Sequence, residues 1–149
     1  MSKKVIKNMP VMLKHEGVWE GTYRHVDVAG NLIEKLDSRV ICEFPTSGDS
    51  AYTQHNHFTY ADGSQKAVSF PGVQKGDRIW WDTDAFSGYG WEAGADTVML
   101  KLDRKDIPGA YFLEVIILSE NNLDRARTWH WFKDGKLFQR TLCDEHRVE

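Results

Sequence analysis

Glu114 interrupts the run Tyr111–Leu118, YFLEVIIL, which is apolar on both faces of any strand it forms. A carboxylate in such a run is buried, and a buried carboxylate is either paired or protonated. Arg127 and Arg140, in the two strand-like segments that follow, are the expected partners. Such a group suits two kinds of work. It can be a structural salt bridge beneath an aromatic layer. It can also be a reactive site, with Glu114 as general acid or base at a raised pKa and an arginine anchoring or polarising an anionic oxygen.

His55 and His57 stand two apart in a strand-like segment, so they point the same way and could move protons in a metal-free enclosure. The flanking HNHFTYADG supplies no glutamate where a metal site of this kind needs one, so we expect no metal. Neither cysteine lies in a nucleophile motif, and Cys143 reads as a small core residue. Gly88, Gly90 and Gly94 follow neither dinucleotide- nor phosphate-loop spacing. A second aromatic group, Trp80-Trp81 with Tyr89 and Trp91, suits either packing or stacking on a flat ligand. Adjacent Trp80 and Trp81 face opposite sides, so at most one lines an interior; we assign that place to Trp80.

The elements that must hold these residues are strands almost throughout. Runs near 17–26, 33–44, 51–61, 65–71, 77–84, 88–92, 96–103, 110–119, 124–133 and 136–147 alternate apolar with polar residues. Val5 to Glu16 carries a weak helical stripe. Asp62-Gly63 and Asp134-Gly135 are two-residue hairpin signals, and Asn121-Asn122 is a weaker third. If Asp134-Gly135 and Asn121-Asn122 are two-residue turns, one face across three strands holds Phe112, Glu114, Ile116, Arg127, Trp129, Trp131, Phe138 and Arg140. The first turn sets Trp131 opposite Phe138, Trp129 opposite Arg140 and Arg127 opposite Leu142. The Asp62-Gly63 turn sets His55 opposite Phe70 and His57 opposite Val68. Two assignments stay open: the Glu/Arg/Trp face lines the interior, or the smaller Val/Ile/Thr/Ala face does, with the first at a subunit contact. We take the first, and we read the terminal Asp144–Arg147 run as a solvated end.

At 149 residues, 41% hydrophobic and 28% charged, the chain is one globular domain, residues 1–149. A formal net charge of −3 gives no footprint for nucleic acid. No apolar run approaches the ~20 residues of a membrane helix. The N-terminus lacks a signal-peptide pattern, and two cysteines make no disulfide framework, so the expected location is cytoplasmic.

Gly17-Val18-Trp19, after a short helical lead, resembles the G-x-W opening of the calycin (lipocalin-like) barrels. With the segment from Glu114 to Val148, the chain resembles an uncharacterised bacterial family of lipocalin-like proteins. The resemblance implies an all-β, antiparallel up-and-down barrel of about 8–10 strands with a short N-terminal helix. It implies that Trp19 plugs the closed end under a basic residue of the last strand, Arg140 or Arg147. It also implies a central cavity, without fixing one reaction.

Two function classes follow. The first is a binding module for a small, largely apolar or aromatic ligand, lined by Trp129, Trp131, Phe112, Phe138, Tyr89, Trp91 and Trp80. The second is a cofactor-independent lyase, isomerase, hydratase or decarboxylase using Glu114 with Arg127 or Arg140, aided by His55 or His57. Haem, with His130 or His146 as axial ligand, and bilin binding are further options of the resemblance. No cofactor is expected, the partner is a small molecule, and the assembly is a monomer or homodimer.

Overall fold

The computed structural model describes residues 3–149. Ten strands follow a four-residue helix: α1 (Pro10–Leu13), β1 (Gly17–Val26), β2 (Leu32–Glu43), β3 (Tyr52–Thr59), β4 (Gln65–Lys75), β5 (Arg78–Asp82), β6 (Phe86–Glu92), β7 (Thr97–Arg104), β8 (Ala110–Leu118), β9 (Asp124–Lys133) and β10 (Lys136–Arg147). Each strand pairs antiparallel with its sequence neighbours, and β10 returns to β1, so the sheet closes into an up-and-down barrel. Closure removes the edges that a ten-strand open sheet would expose. The expected lipocalin-like barrel is the fold observed. The helix is far shorter than the stripe over Val5 to Glu16 suggests, because Pro10 opens it and the chain is needed at Gly17 to start β1.

Inward residues come from every second position. Trp19, Tyr23, Val40, Ile79, Trp81, Val98, Leu100 and Phe112 are buried and join one core. Gly21 lies between Trp19 and Tyr23, where a Cβ would run into the Asp144 carbonyl; its absence lets β10 close against β1. One end is shut by α1, Ile6, Met9 and Trp19. There the Trp19 indole N–H donates to the His15 carbonyl at 3.0 Å, and the Arg125 and Arg147 guanidinium carbons lie 4.5 and 4.4 Å from the ring centre. Arg147, and not Arg140, is therefore the last-strand cation over the plug.

Two strand registers depart from expectation. Asp134 and Gly135 both take positive φ, 51° and 79°, and Lys133 pairs with Lys136 as a two-residue turn requires. The register then shifts: Leu137 pairs with Phe132, but Gln139, not Phe138, pairs with Trp131. Phe138 is the extra residue of a β-bulge. Beyond it every residue of β10 changes face relative to the uninterrupted pairing, which brings Thr141, Cys143 and Glu145 inside opposite Trp129, Arg127 and Arg125. The Asp62-Gly63 connection has three residues, closed by the Tyr60 N–H on the Ser64 carbonyl. His55 thus pairs with Ser69 and His57 with Ala67, one step from the expected register. The Asn121-Asn122 register is as expected, with Phe112 opposite Trp131, Glu114 opposite Trp129 and Ile116 opposite Arg127.

Candidate functional site

The barrel interior holds a cavity of about 510 Å³ toward the end away from Trp19. Its middle is an aromatic box. Phe70 and Phe86 lie 4.7 Å apart between ring centres, Phe86 and Phe112 6.4 Å, and Phe112 and Trp131 4.7 Å. Trp81, Trp129, Phe58 and the half-exposed Phe138 extend the apolar lining. On the β3 wall Tyr52 donates to Gln54 at 2.8 Å, and Gln54 donates to the buried Asn56 at 2.8 Å. Near the mouth Thr141 meets both His25 Nδ1, at 2.7 Å, and the Trp131 indole N–H, at 2.8 Å.

The floor of the cavity is the upper end of a buried ladder of charges. Arg127 donates through Nε to Glu114 Oε2 at 2.9 Å, and through Nη1 to Tyr23 Oη at 2.8 Å and Glu145 Oε2 at 3.3 Å. Glu145 Oε1 accepts from Arg125 Nε at 2.6 Å, and Arg125 Nη1 donates to His15 Nδ1 at 3.1 Å. Arg127 also lies over Trp129, 4.6 Å from its ring centre. The two acids and two bases balance. An arginine can only donate, so His15 Nδ1 accepts and its proton sits on Nε2. Among the described residues, His15 Nε2 and Arg125 Nη2 are the enclosed side-chain atoms without a partner. Glu114 Oε1 and Arg127 Nη2 also lack a hydrogen-bond partner among those residues, but they are not fully enclosed, and both residues line the cavity.

Environment separates the two carboxylates. Burial pushes Glu114 above the usual carboxylate range, against the pull of Arg127. Burial acts on Glu145 too, but Arg125 and Arg127 together outweigh it and hold Glu145 below that range. Burial, reinforced by Arg125, keeps His15 well below the ordinary histidine value, so it is neutral. Burial pushes the Cys143 thiol up, which fits a core residue.

A family model described as the N-terminal domain of unknown function DUF3598 matches residues 6–149. The chain belongs to the DUF3598 family. This DUF3598 barrel is similar in fold to a DUF3598-family protein of unknown function from Nostoc punctiforme, with a TM-score of 0.68 and 15% identity over 92% of this chain and 48% of that one. It therefore spans about half the length of that relative. It is similar to the S-type phycobiliprotein lyase from Guillardia theta, with a TM-score of 0.71 and 13% identity over 99% of this chain and 96% of that one. It is also similar to Rv2717c from M. tuberculosis, with a TM-score of 0.59 and 13% identity over 96% of this chain and all of that one. At these identities the likeness is one of fold. No curated protein matches the chain.

Of the residues singled out in the sequence, the DUF3598 barrel brings Glu114, Arg127, Trp129, Trp131, Phe112 and Phe138 together around the cavity. The others lie elsewhere. The Phe138 bulge turns Arg140 outward, opposite His130. The three-residue turn leaves Gln54 and Asn56 inside and His55 and His57 outside, with His55 against Ser69 at 2.7 Å and Glu43 at 3.4 Å. Trp81 takes the interior place assigned to Trp80. Trp80, Tyr89 and Trp91 instead form an outer row, 4.9 and 5.6 Å between ring centres, with Arg78 4.3 Å over Tyr89. His130 and His146 are exposed on the outer face, so neither reaches the interior as an axial ligand. The terminal run is not a solvated end: Glu145 is buried and Arg147 covers the plug.

Sequence reasoning missed Glu145, Arg125, Tyr23 and His15. Tyr23 was within reach, since positions 19, 21 and 23 share the face of the Trp19 plug. Among the described residues no cluster of three or more His, Cys, Asp or Glu is placed to hold a metal ion, and no helix is long and apolar enough to cross a membrane.

Proposed function

We propose that this barrel binds a small, flat, largely apolar ligand in its cavity. The observation that carries the reading is the box of Phe70, Phe86, Phe112 and Trp131 standing over the Glu114–Arg127 floor. A volume of about 510 Å³ falls within the range of small-molecule sites, which are apolar with a few convergent polar groups. Aromatic faces at these spacings stack on planar molecules and add to the gain from burying apolar area. Native mass spectrometry with an absorption spectrum, on protein purified from its own source, tests this. A retained small molecule supports the reading; protein that is bare and also fails to bind any planar probe refutes it.

A second reading is a lyase or isomerase reaction in the same cavity, with Glu114 moving a proton. It is favoured by two carboxylates on one guanidinium whose environments push their titrations apart, the arrangement that divides acid from base roles. The likeness in fold to a phycobiliprotein lyase supports keeping it. Loss of turnover on a candidate substrate in Glu114→Gln, with binding retained, separates this reading from carriage alone.

A further inference from the structure

We propose that the cavity selects a neutral, flat ligand bearing a cyclic amide, whose N–H is received by Glu114 Oε1 and whose carbonyl is received by Arg127 Nη2. This rests on the reading of the cavity as a ligand site and names the chemistry that the site takes.

The two atoms belong to one ion pair, closed through Glu114 Oε2 and Arg127 Nε at 2.9 Å. Their other ends, an acceptor and a donor, have no partner among the described residues and are not fully enclosed, and both residues line the cavity. An acceptor beside a donor is complementary to a group that offers N–H beside C=O, as a lactam does along one edge. Both charged groups are buried, so leaving either end unmet by a ligand that displaces water is costly, and meeting both is rewarded.

Charge argues against an anionic head group. Arg127 already faces two carboxylates, and Glu145 is shared with Arg125, so the ladder carries no net positive charge to offer. A ligand carboxylate at the floor would meet Glu114 directly. Of the other cations lining the cavity, Arg104 is clamped by both oxygens of Asp106, at 2.9 and 2.6 Å, and Lys66 is exposed at the mouth. The box above the floor then admits the rest of a flat ring system.

The test is a calorimetric titration of the unmodified protein with three bicyclic probes of similar size: 2-quinolone, a lactam; naphthalene, which has no polar group; and 2-naphthoate, an anion. The expected result is that 2-quinolone binds at least tenfold more tightly than naphthalene, and that 2-naphthoate binds no more tightly than naphthalene. In Glu114→Gln the preference for 2-quinolone falls to a few-fold at most. Equal binding of 2-quinolone and naphthalene by the unmodified protein overturns the lactam proposal and leaves the ligand site standing. Tightest binding by 2-naphthoate does the same. Binding of none of the three overturns both. Because the comparison is made first on the unmodified protein, it holds even if the variant does not fold.

Discussion

Glu114 and Glu145, on strands at either side of β9, grip the same guanidinium: Arg127 gives Nε to the first at 2.9 Å and Nη1 to the second at 3.3 Å. One arginine shared by two acids leaves neither fully neutralised by it. Glu145 has Arg125 as well, whereas Glu114 has Arg127 and the cavity. The acid that opens on the cavity is therefore the one whose proton is held more tightly.

Removing the lower acid should disturb both stability and the cavity. In Glu145→Gln two buried arginines lose their shared counter-charge, and breaking a buried pair in this way costs about 3 kcal/mol or more. Urea unfolding should show that loss. The negative charge of Glu145 also raises Glu114, so carbon-detected NMR should find Glu114 titrating lower in the variant than in the parent. An unchanged Glu114 with an unchanged midpoint contradicts the shared-arginine description.

The His15 contribution to stability should fall as pH drops from 7 toward 5. His15 is held well below 6.5 when folded, so at this residue the unfolded chain binds more protons than the folded one and its contribution rises with pH, while Glu114, raised in the fold, acts in the opposite direction above the usual carboxylate range. The contribution is complete above about 6.5 and is lost as pH falls toward the folded value, at no more than about 1.4 kcal/mol per pH unit for one proton. His25, also lowered by burial, acts in the same direction. Glu145, lowered in the fold, adds a further loss only below the usual carboxylate range, about 4.3. The variant His15→Asn, whose carbonyl oxygen can accept from Arg125, should lose less stability between pH 7 and 5. An equal loss assigns the slope elsewhere.

The bulge makes two deletions unequal. Deleting Phe138 leaves Leu137 opposite Phe132 and Gln139 opposite Trp131, which is regular pairing, so Glu145 stays inside and the protein should still unfold cooperatively. Deleting Leu142 instead slips Cys143 and Glu145 to the outer face and should abolish the native fold. Circular dichroism and a denaturant titration distinguish them; similar behaviour of the two argues against the register described.

How much of this was legible in the sequence follows from the same elements. Alternation and turn residues marked all ten strands, because each strand is half buried and each turn has its own chemistry. The β8–β9 pairing could be read because Asn122 takes positive φ and the strands run on without a bulge. The β9–β10 face could not. Asp134-Gly135 sets the turn, but closing the barrel places the bulge at Phe138, and nothing in KLFQR marks that residue as the extra one. Arg140 was therefore placed inside and Glu145 in solvent, the reverse of the structure. The Asp-Gly pair at 62–63 serves a two- or a three-residue turn equally well. That ambiguity set the histidines on the wrong face.

The central claim is that a ligand enters the barrel, and the six tryptophans divide to test it. Trp81, Trp129 and Trp131 line the cavity; Trp80 and Trp91 lie outside, and Trp19 plugs the closed end. Indole N–H resonances should be followed while 2-quinolone is added, with naphthalene as a second probe. Saturable shifts at Trp81, Trp129 and Trp131, with Trp80 and Trp91 unmoved, are the predicted result. Shifts confined to Trp80 and Trp91 would place binding on the outer face and contradict the account.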